Sequence, residues 1–141
     1  MIILDTNIIS EMMRPQPNAN VVTWLNQQHS PDLFITSITI AEISYGLFIL
    51  PTGKRKQQLQ NNFEKFVDKA FRYRILDFAE QTAKVYGKVM GEGKLKGQPM
   101  SIPDGQIASI ALENGYSVAT RNIKDFSYCG VELINPFNKS R

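Results

Sequence analysis

Alternating strand and helix patterns place this sequence in the α/β class, as an α/β/α sandwich around a central, mostly parallel sheet of about four to five strands. Three observations carry that expectation. The chain opens on Ile2, Ile3 and Leu4, an apolar run that suits a strand buried on both faces. Four more short apolar runs follow, and segments with helical periodicity separate the first four of the five runs from one another. The 141 residues, 43% hydrophobic and 21% charged, are enough for one domain with a sizeable core and too few for two.

Taken in order, the first strand leads to a short helix around Ile8 to Met13, stopped by Arg14-Pro15-Gln16-Pro17. Asn18 or Asn20 can cap a helix carrying Val21, Val22, Trp24 and Leu25. Leu33 to Thr36 reads as the second strand, and a helix from about Thr39 to Leu50 ends before Pro51. A long helix follows Thr52, with Leu59, Phe63, Phe66, Val67 and Ala70 on one face. Tyr73 to Leu76 is the third strand, and Ala79, Ala83, Tyr86 and Met90 mark another amphipathic helix. The GEGKLKGQP stretch after it reads as a flexible turn, because it follows a helix and lacks the Gly-Lys-Ser/Thr ending of a phosphate loop. Ser101 opens a helix rich in small apolar residues that stops at Asn114-Gly115. Tyr116 to Thr120 and Val131 to Ile134 complete the strands.

Composition narrows the chemistry. No apolar stretch approaches the roughly 20 residues of a membrane span. The short run at Ile2 to Leu4 has no basic region before it and does not read as a signal peptide, so a cytoplasmic protein is the expectation. One cysteine, Cys129, allows no intrachain disulfide. With a single histidine as well, His29 in a polar stretch, His/Cys zinc sites are excluded and Cys–His catalysis is disfavoured. Carboxylates and hydroxyls are left to do the work. The net charge of +3 is unevenly spread, with Lys54, Arg55, Lys56, Lys65, Lys69, Arg72 and Arg74 concentrated in one segment. That segment is either a solvated helix face or a track for an acidic polymer.

Asp5, Thr6 and Asn7 emerge where the first strand ends, which is the edge at which α/β sheets bind ligands. Asp5 could equally cap the next helix. Glu42 lies early in the helix after the second strand, where Thr39-x-x-Glu42 matches a capping box. Asp104 begins the helix before the fourth strand, where Ser101-x-x-Asp104 resembles the same device. The fourth strand ends in Thr120-Arg121-Asn122, with Asp125 three residues on. Each acid has a structural explanation singly, but parallel topology sends all of them towards one edge. A shared carboxylate cluster needs a cation, since like charges resist joint ionisation. An all-oxygen set suits Mg²⁺ or Mn²⁺, and such ions serve phosphodiester hydrolysis.

ILDTN, SITIAEISYG, PDGQIASIA and VATRNIKDF, in that order and spacing, resemble the motifs of PIN-domain ribonucleases, most of all the VapC-type toxins of toxin–antitoxin pairs and their FitB-like group. The likeness covers residues 1–141 as a single PIN domain. It implies a PIN-like sandwich, a Mg²⁺- or Mn²⁺-dependent endoribonuclease acting on RNA, tRNA among the candidates, and a homodimer. It also implies inhibition by a small cognate antitoxin that binds DNA. Asp5, Glu42 and Asp104 match the family's core acids, with Asp5 and Asp104 as the expected metal contacts. Thr6, Thr120 and Asn122 would orient ligands, and Lys54, Arg55 and Lys56 are candidate RNA contacts. Many relatives carry an acid where this chain has Asn122, which bears on a second metal ion, and Asp125 is a candidate substitute. The competing reading is a non-catalytic PIN-like module that binds RNA or protein, motivated by Asn122 and by the capping explanations for Glu42 and Asp104.

Overall fold

The computed structural model describes residues 1–139. Its centre is a five-stranded, all-parallel sheet in the order β3-β2-β1-β4-β5. The strands are β1 (Ile2–Leu4), β2 (Leu33–Thr36), β3 (Ile75–Leu76), β4 (Ser117–Ala119) and β5 (Leu133–Ile134). In β1, Ile3 faces Phe34 of β2 on one side and Val118 of β4 on the other. Its hydrogen bonds are therefore satisfied along both edges, and its side chains are buried on both faces. This is the environment that an uninterrupted apolar run requires.

Side-chain alternation along the strands separates two cores. Leu4, Leu33, Ile35 and Ala119 point to one face, packing with Ile8, Ile9, Val21, Ile43, Leu47, Phe63 and Phe71. That layer is built by α1 (Thr6–Met12), α2 (Ala19–Asn26), α3 (Ser37–Phe48) and α4 (Lys54–Phe71). Ile3 and Val118 point to the other face, against Ile107, Ala108, Ile110, Ala111 and Phe126. The second layer consists of α5 (Glu80–Leu95), α6 (Ile102–Asn114) and α7 (Ile123–Phe126). The α/β/α sandwich predicted from the sequence is present.

Local signals worked where the chain punctuates itself strongly. Asn18 caps α2, its Oδ1 accepting from the Asn20 and Val21 amides at 2.9 and 3.3 Å. Gly115 ends α6 in the left-handed region at φ 70°, which favours glycine. Other boundaries differ. α1 begins at Thr6, because Asp5 is its N-cap and the candidate site residues Thr6 and Asn7 themselves open the first turn. α5 continues through Gly91 and Gly93 to Leu95, so most of GEGKLKGQP is helix, and the turn is confined to Lys96 and Gly97. A Cβ on Gly105 would fall 2.3 Å from Met90 Sδ, which shows how closely α5 and α6 pack beside Asp104. Two short elements were not foreseen: α7 and a 3-10 turn at Ser30–Asp32. His29 lies exposed between α2 and that turn, 3.5 Å from the Asp32 carboxylate. Among the described residues no helix is long and apolar enough to cross a membrane.

Candidate active site

The chain builds β1, β2 and β3 outward in one direction, then returns to lay β4 on the other side of β1. The C-terminal ends of β1 and β4 therefore flank the topological switch point, where neighbouring connections depart in opposite directions and leave a crevice. Asp5 follows β1 and Thr120 follows β4, and they bond across that point. The Thr120 hydroxyl donates to Asp5 Oδ2 at 2.7 Å. Asp5 also accepts from the Thr6 amide at 2.8 Å and from Asn7 Nδ2 at 3.1 Å. It thus serves both roles that its sequence position allowed, helix cap and cleft carboxylate.

Glu42 reaches the same place from α3. The Thr6 hydroxyl donates to Glu42 Oε1 at 2.8 Å. That commits the only proton on Thr6 Oγ1, so in its 3.0 Å contact with Thr39 Oγ1 the Thr39 hydroxyl is the donor. The capping box expected for Thr39 and Glu42 is not formed. Thr36 is the N-cap of α3 and its hydroxyl accepts from the Thr39 amide at 3.2 Å. The helix starts earlier than its apolar periodicity implied, so Thr39 is fully buried against α1 and Glu42 is free of capping duty. At α6 the device does form in part, with Ser101 Oγ accepting from the Asp104 amide at 3.3 Å.

Asp5, Thr6, Glu42, Asp104 and Asn122 line one open cleft of about 530 Å³. Asp5 is only 3% exposed. Burial raises its carboxyl from the ordinary 3.8 to about 6; the hydrogen bonds from Thr120 and Thr6 oppose the rise, and the charges of Asp104 and Glu42 add to it. Burial likewise raises Asp104, with Asp125 and Glu42 adding repulsion and Ser101 opposing. Among the described residues the ion pairs are Arg14–Glu11 and His29–Asp32, so none of the three acids is neutralised by a basic side chain.

Donor chemistry and charge balance both fit a divalent cation: the acids offer oxygen ligands only, and no basic side chain among the described residues lies within ion-pair distance of them. Yet no group of three or more Asp, Glu, His or Cys side chains among the described residues is arranged to grip one ion directly. An open set of this kind matches Mg²⁺, which keeps several waters and uses one or two carboxylates.

The remaining predicted residues fall outside the tight network. Asn122 is exposed at the start of α7; its amide donates to Thr120 Oγ1 at 3.0 Å and its side chain makes no capping bond. Asp125 is exposed in the first turn of α7 and does not line the cleft, although its charge acts on Asp104. Lys54, Arg55 and Lys56 open α4 and are not among the residues that line the cleft, and Lys56 Nζ donates to the carbonyl of Phe48 at the end of α3.

Asn7, which the sequence placed at the ligand-binding edge without giving it a role in the site, donates through Nδ2 to Asp5 and, at 3.3 Å, to Thr120, while its Oδ1 accepts from the Arg121 amide at 3.1 Å. Its place directly after Asp5-Thr6 was the available signal. Ser10, Glu11, Arg14, Arg121 and Phe137 also line the cleft, and only tertiary folding brings them there.

Comparison with known proteins agrees with this arrangement. Residues 2–128 match the PIN domain family. The toxin FitB of Neisseria gonorrhoeae is 38% identical over 138 residues, covering 98% of this chain and 99% of that protein. A VapC ribonuclease of Sinorhizobium fredii is 37% identical over 137 residues, covering 97% and 98%. The solved structure of FitAB bound to a DNA fragment superposes with a TM-score of 0.93 at 38% identity, covering all of this chain and 99% of that one. By its motifs, its switch-point cleft and these whole-length likenesses, the chain belongs to the PIN-domain family, within the group of VapC- and FitB-like toxins.

Proposed function

We propose that the chain is one PIN domain acting as the toxin of a toxin–antitoxin pair: a cytoplasmic, homodimeric endoribonuclease that uses Mg²⁺ or Mn²⁺ and is neutralised by a small DNA-binding antitoxin. The observation that carries the reading is the cleft itself, which Asp5, Glu42 and Asp104 line together without a basic ion-pair partner among the described residues. The antitoxin rests on the likeness to FitAB, whose structure is of a complex bound to DNA.

Asp5 and Asp104 are the residues that would hold the ion, directly or through water. Once bound, a divalent cation neutralises phosphate charge and makes a nearby water a better nucleophile. The chain supplies the geometry. Thr120, Asn7 and the Thr6 amide fix both oxygens of Asp5, so its carboxylate is oriented before anything binds. Thr6, itself held by Thr39, turns Glu42 towards the cleft, where its other oxygen can accept a proton from the attacking water. Asn122 stands where it can offer a neutral carbonyl oxygen to ligand or water.

Purified protein incubated with total tRNA and with a single-stranded RNA should cleave in Mn²⁺ or Mg²⁺ and stop on chelation. Losing an outer partner of a metal ligand typically costs roughly 10–100-fold, so Asp5→Asn should cost more than ~100-fold. Equal cleavage by wild type and Asp5→Asn would reject the site, and cleavage undiminished by chelator would reject the metal.

A further inference from the structure

The cleft holds two arginines that the acid-based reading leaves unused. Arg14 follows α1, and Arg121 lies in the turn between β4 and α7; both line the same cavity as Asp5, Glu42 and Asp104. Neither contacts those acids. Arg14 is pinned through Nη1 alone to the buried Glu11 at 3.3 Å, and Glu11 is in turn held by the Asn18 amide at 3.0 Å. Its Nε and Nη2 donors make no hydrogen bond within the described residues. Arg121 lays its guanidinium over the Phe137 ring at 4.7 Å, and among the described residues no carboxylate lies within ion-pair distance of it. Its backbone is fixed beside the acids by the bond from its amide to Asn7, and Phe137 is anchored by its carbonyl, which accepts from Asn20 Nδ2 at 2.9 Å.

We infer that Arg14 and Arg121 form a phosphate clamp, gripping backbone phosphates of the RNA next to the scissile one and setting the strand over Asp5, Glu42 and Asp104. This rests on the ribonuclease reading proposed above. The physical need is plain. The floor of the cleft is anionic and repels a phosphodiester chain, so affinity has to come from cations placed beside that floor. Guanidinium groups suit the task through planar, multidentate donation to phosphate. Both are held in place at one end and open at the other, which limits the ordering cost on binding. The α4 basic segment, although richer in charge, lies off the cleft.

The test is RNA affinity without catalysis, by fluorescence anisotropy in EDTA with a labelled single-stranded RNA of roughly 12 nucleotides, across about 50 to 200 mM KCl. Arg14→Ala and Arg121→Ala should each weaken binding about tenfold. Each should also reduce the slope of log K against log salt by about 0.7, the loss of one single-strand phosphate contact. Arg121→Lys should fall between, since it keeps the charge but loses the planar face on Phe137. The triple variant Lys54→Ala/Arg55→Ala/Lys56→Ala should weaken binding less than either arginine variant. Arginine variants that bind like wild type, or a triple variant that loses more than they do, overturn the clamp. So does a wild type that cleaves in Mn²⁺ but does not bind in EDTA. A wild type that neither cleaves nor binds overturns the ribonuclease reading instead.

Discussion

The two sides of the cleft are built differently. On the β1–β2 side, Asp5, Thr6, Asn7, Thr39 and Glu42, joined by Thr120 from the end of β4, form a continuous hydrogen-bond network around a carboxylate that is 3% exposed. On the α6–α7 side, Asp104 is half-buried with one capping contact, and Asn122 and Asp125 are exposed. The first side is preorganised at the expense of desolvating an acid. The second is solvated, cheaper to charge and open to adjustment when a ligand arrives. Rigidity therefore sits at the switch point of the sheet, where neighbouring strands hold the backbone, and adaptability sits on helix starts.

The contrast can be broken most severely at Thr120. Thr120→Val removes the donor to Asp5 and leaves the Asn122 amide without its acceptor, all in a fully buried position. A loss of about 1–3 kcal/mol in chemical denaturation is expected. Mn²⁺ affinity by calorimetry should also fall roughly 10–100-fold, because Asp5 loses its orienting partner.

A second effect is pH dependence in chelator. Asp5 is raised from 3.8 to about 6, so the folded state holds its proton more tightly than the unfolded chain does. Its contribution to stability is then fully present below 3.8 and lost as pH rises through about 6, amounting to about 3 kcal/mol. Asp104, also raised, acts with the same sign. Melting in EDTA should therefore show a downward component between those pH values that is smaller in Asp5→Asn. Mn²⁺ binding should run the other way, weakening below about pH 6 as protons compete with the ion.

On the solvated side the effects should shrink. Asn122→Asp adds a charge in the cleft at an exposed position, so stability should stay within about 0.5 kcal/mol while Mn²⁺ affinity rises by a few-fold. The smallest response is expected from Asp125→Asn, which relieves repulsion on Asp104 from outside the cleft lining. Cleavage should change by less than about threefold, the scale of a screened surface charge. A loss there as large as that of Asp5→Asn would place Asp125 in the machinery and erase the difference between the two sides.

Much of this was legible in the residues. The apolar run before Asp5 marked a central strand, and Asn18 and Gly115 marked helix ends, because these signals act within a few residues of themselves. The family motifs brought out Asp5, Glu42 and Asp104, and all three line the cleft. The capping explanation for Glu42 failed because helix starts depend on which hydroxyl the preceding strand delivers, and β2 delivers Thr36. That removes part of the motive for a non-catalytic module.

By itself, then, the sequence determined the class of fold and the order of its strands and longer helices, since hydrophobic period and local capping are short-range properties, and its motifs marked the acidic residues of the cleft. Only the tertiary structure decided that Thr120 serves Asp5 from across the switch point, with Asn7 bonded to both. The same is true of Thr39 behind Thr6, of Arg14 and Arg121 within the cleft, and of the basic start of α4 outside it. Those relations join residues up to 115 positions apart, and no local pattern in the chain encodes such a distance.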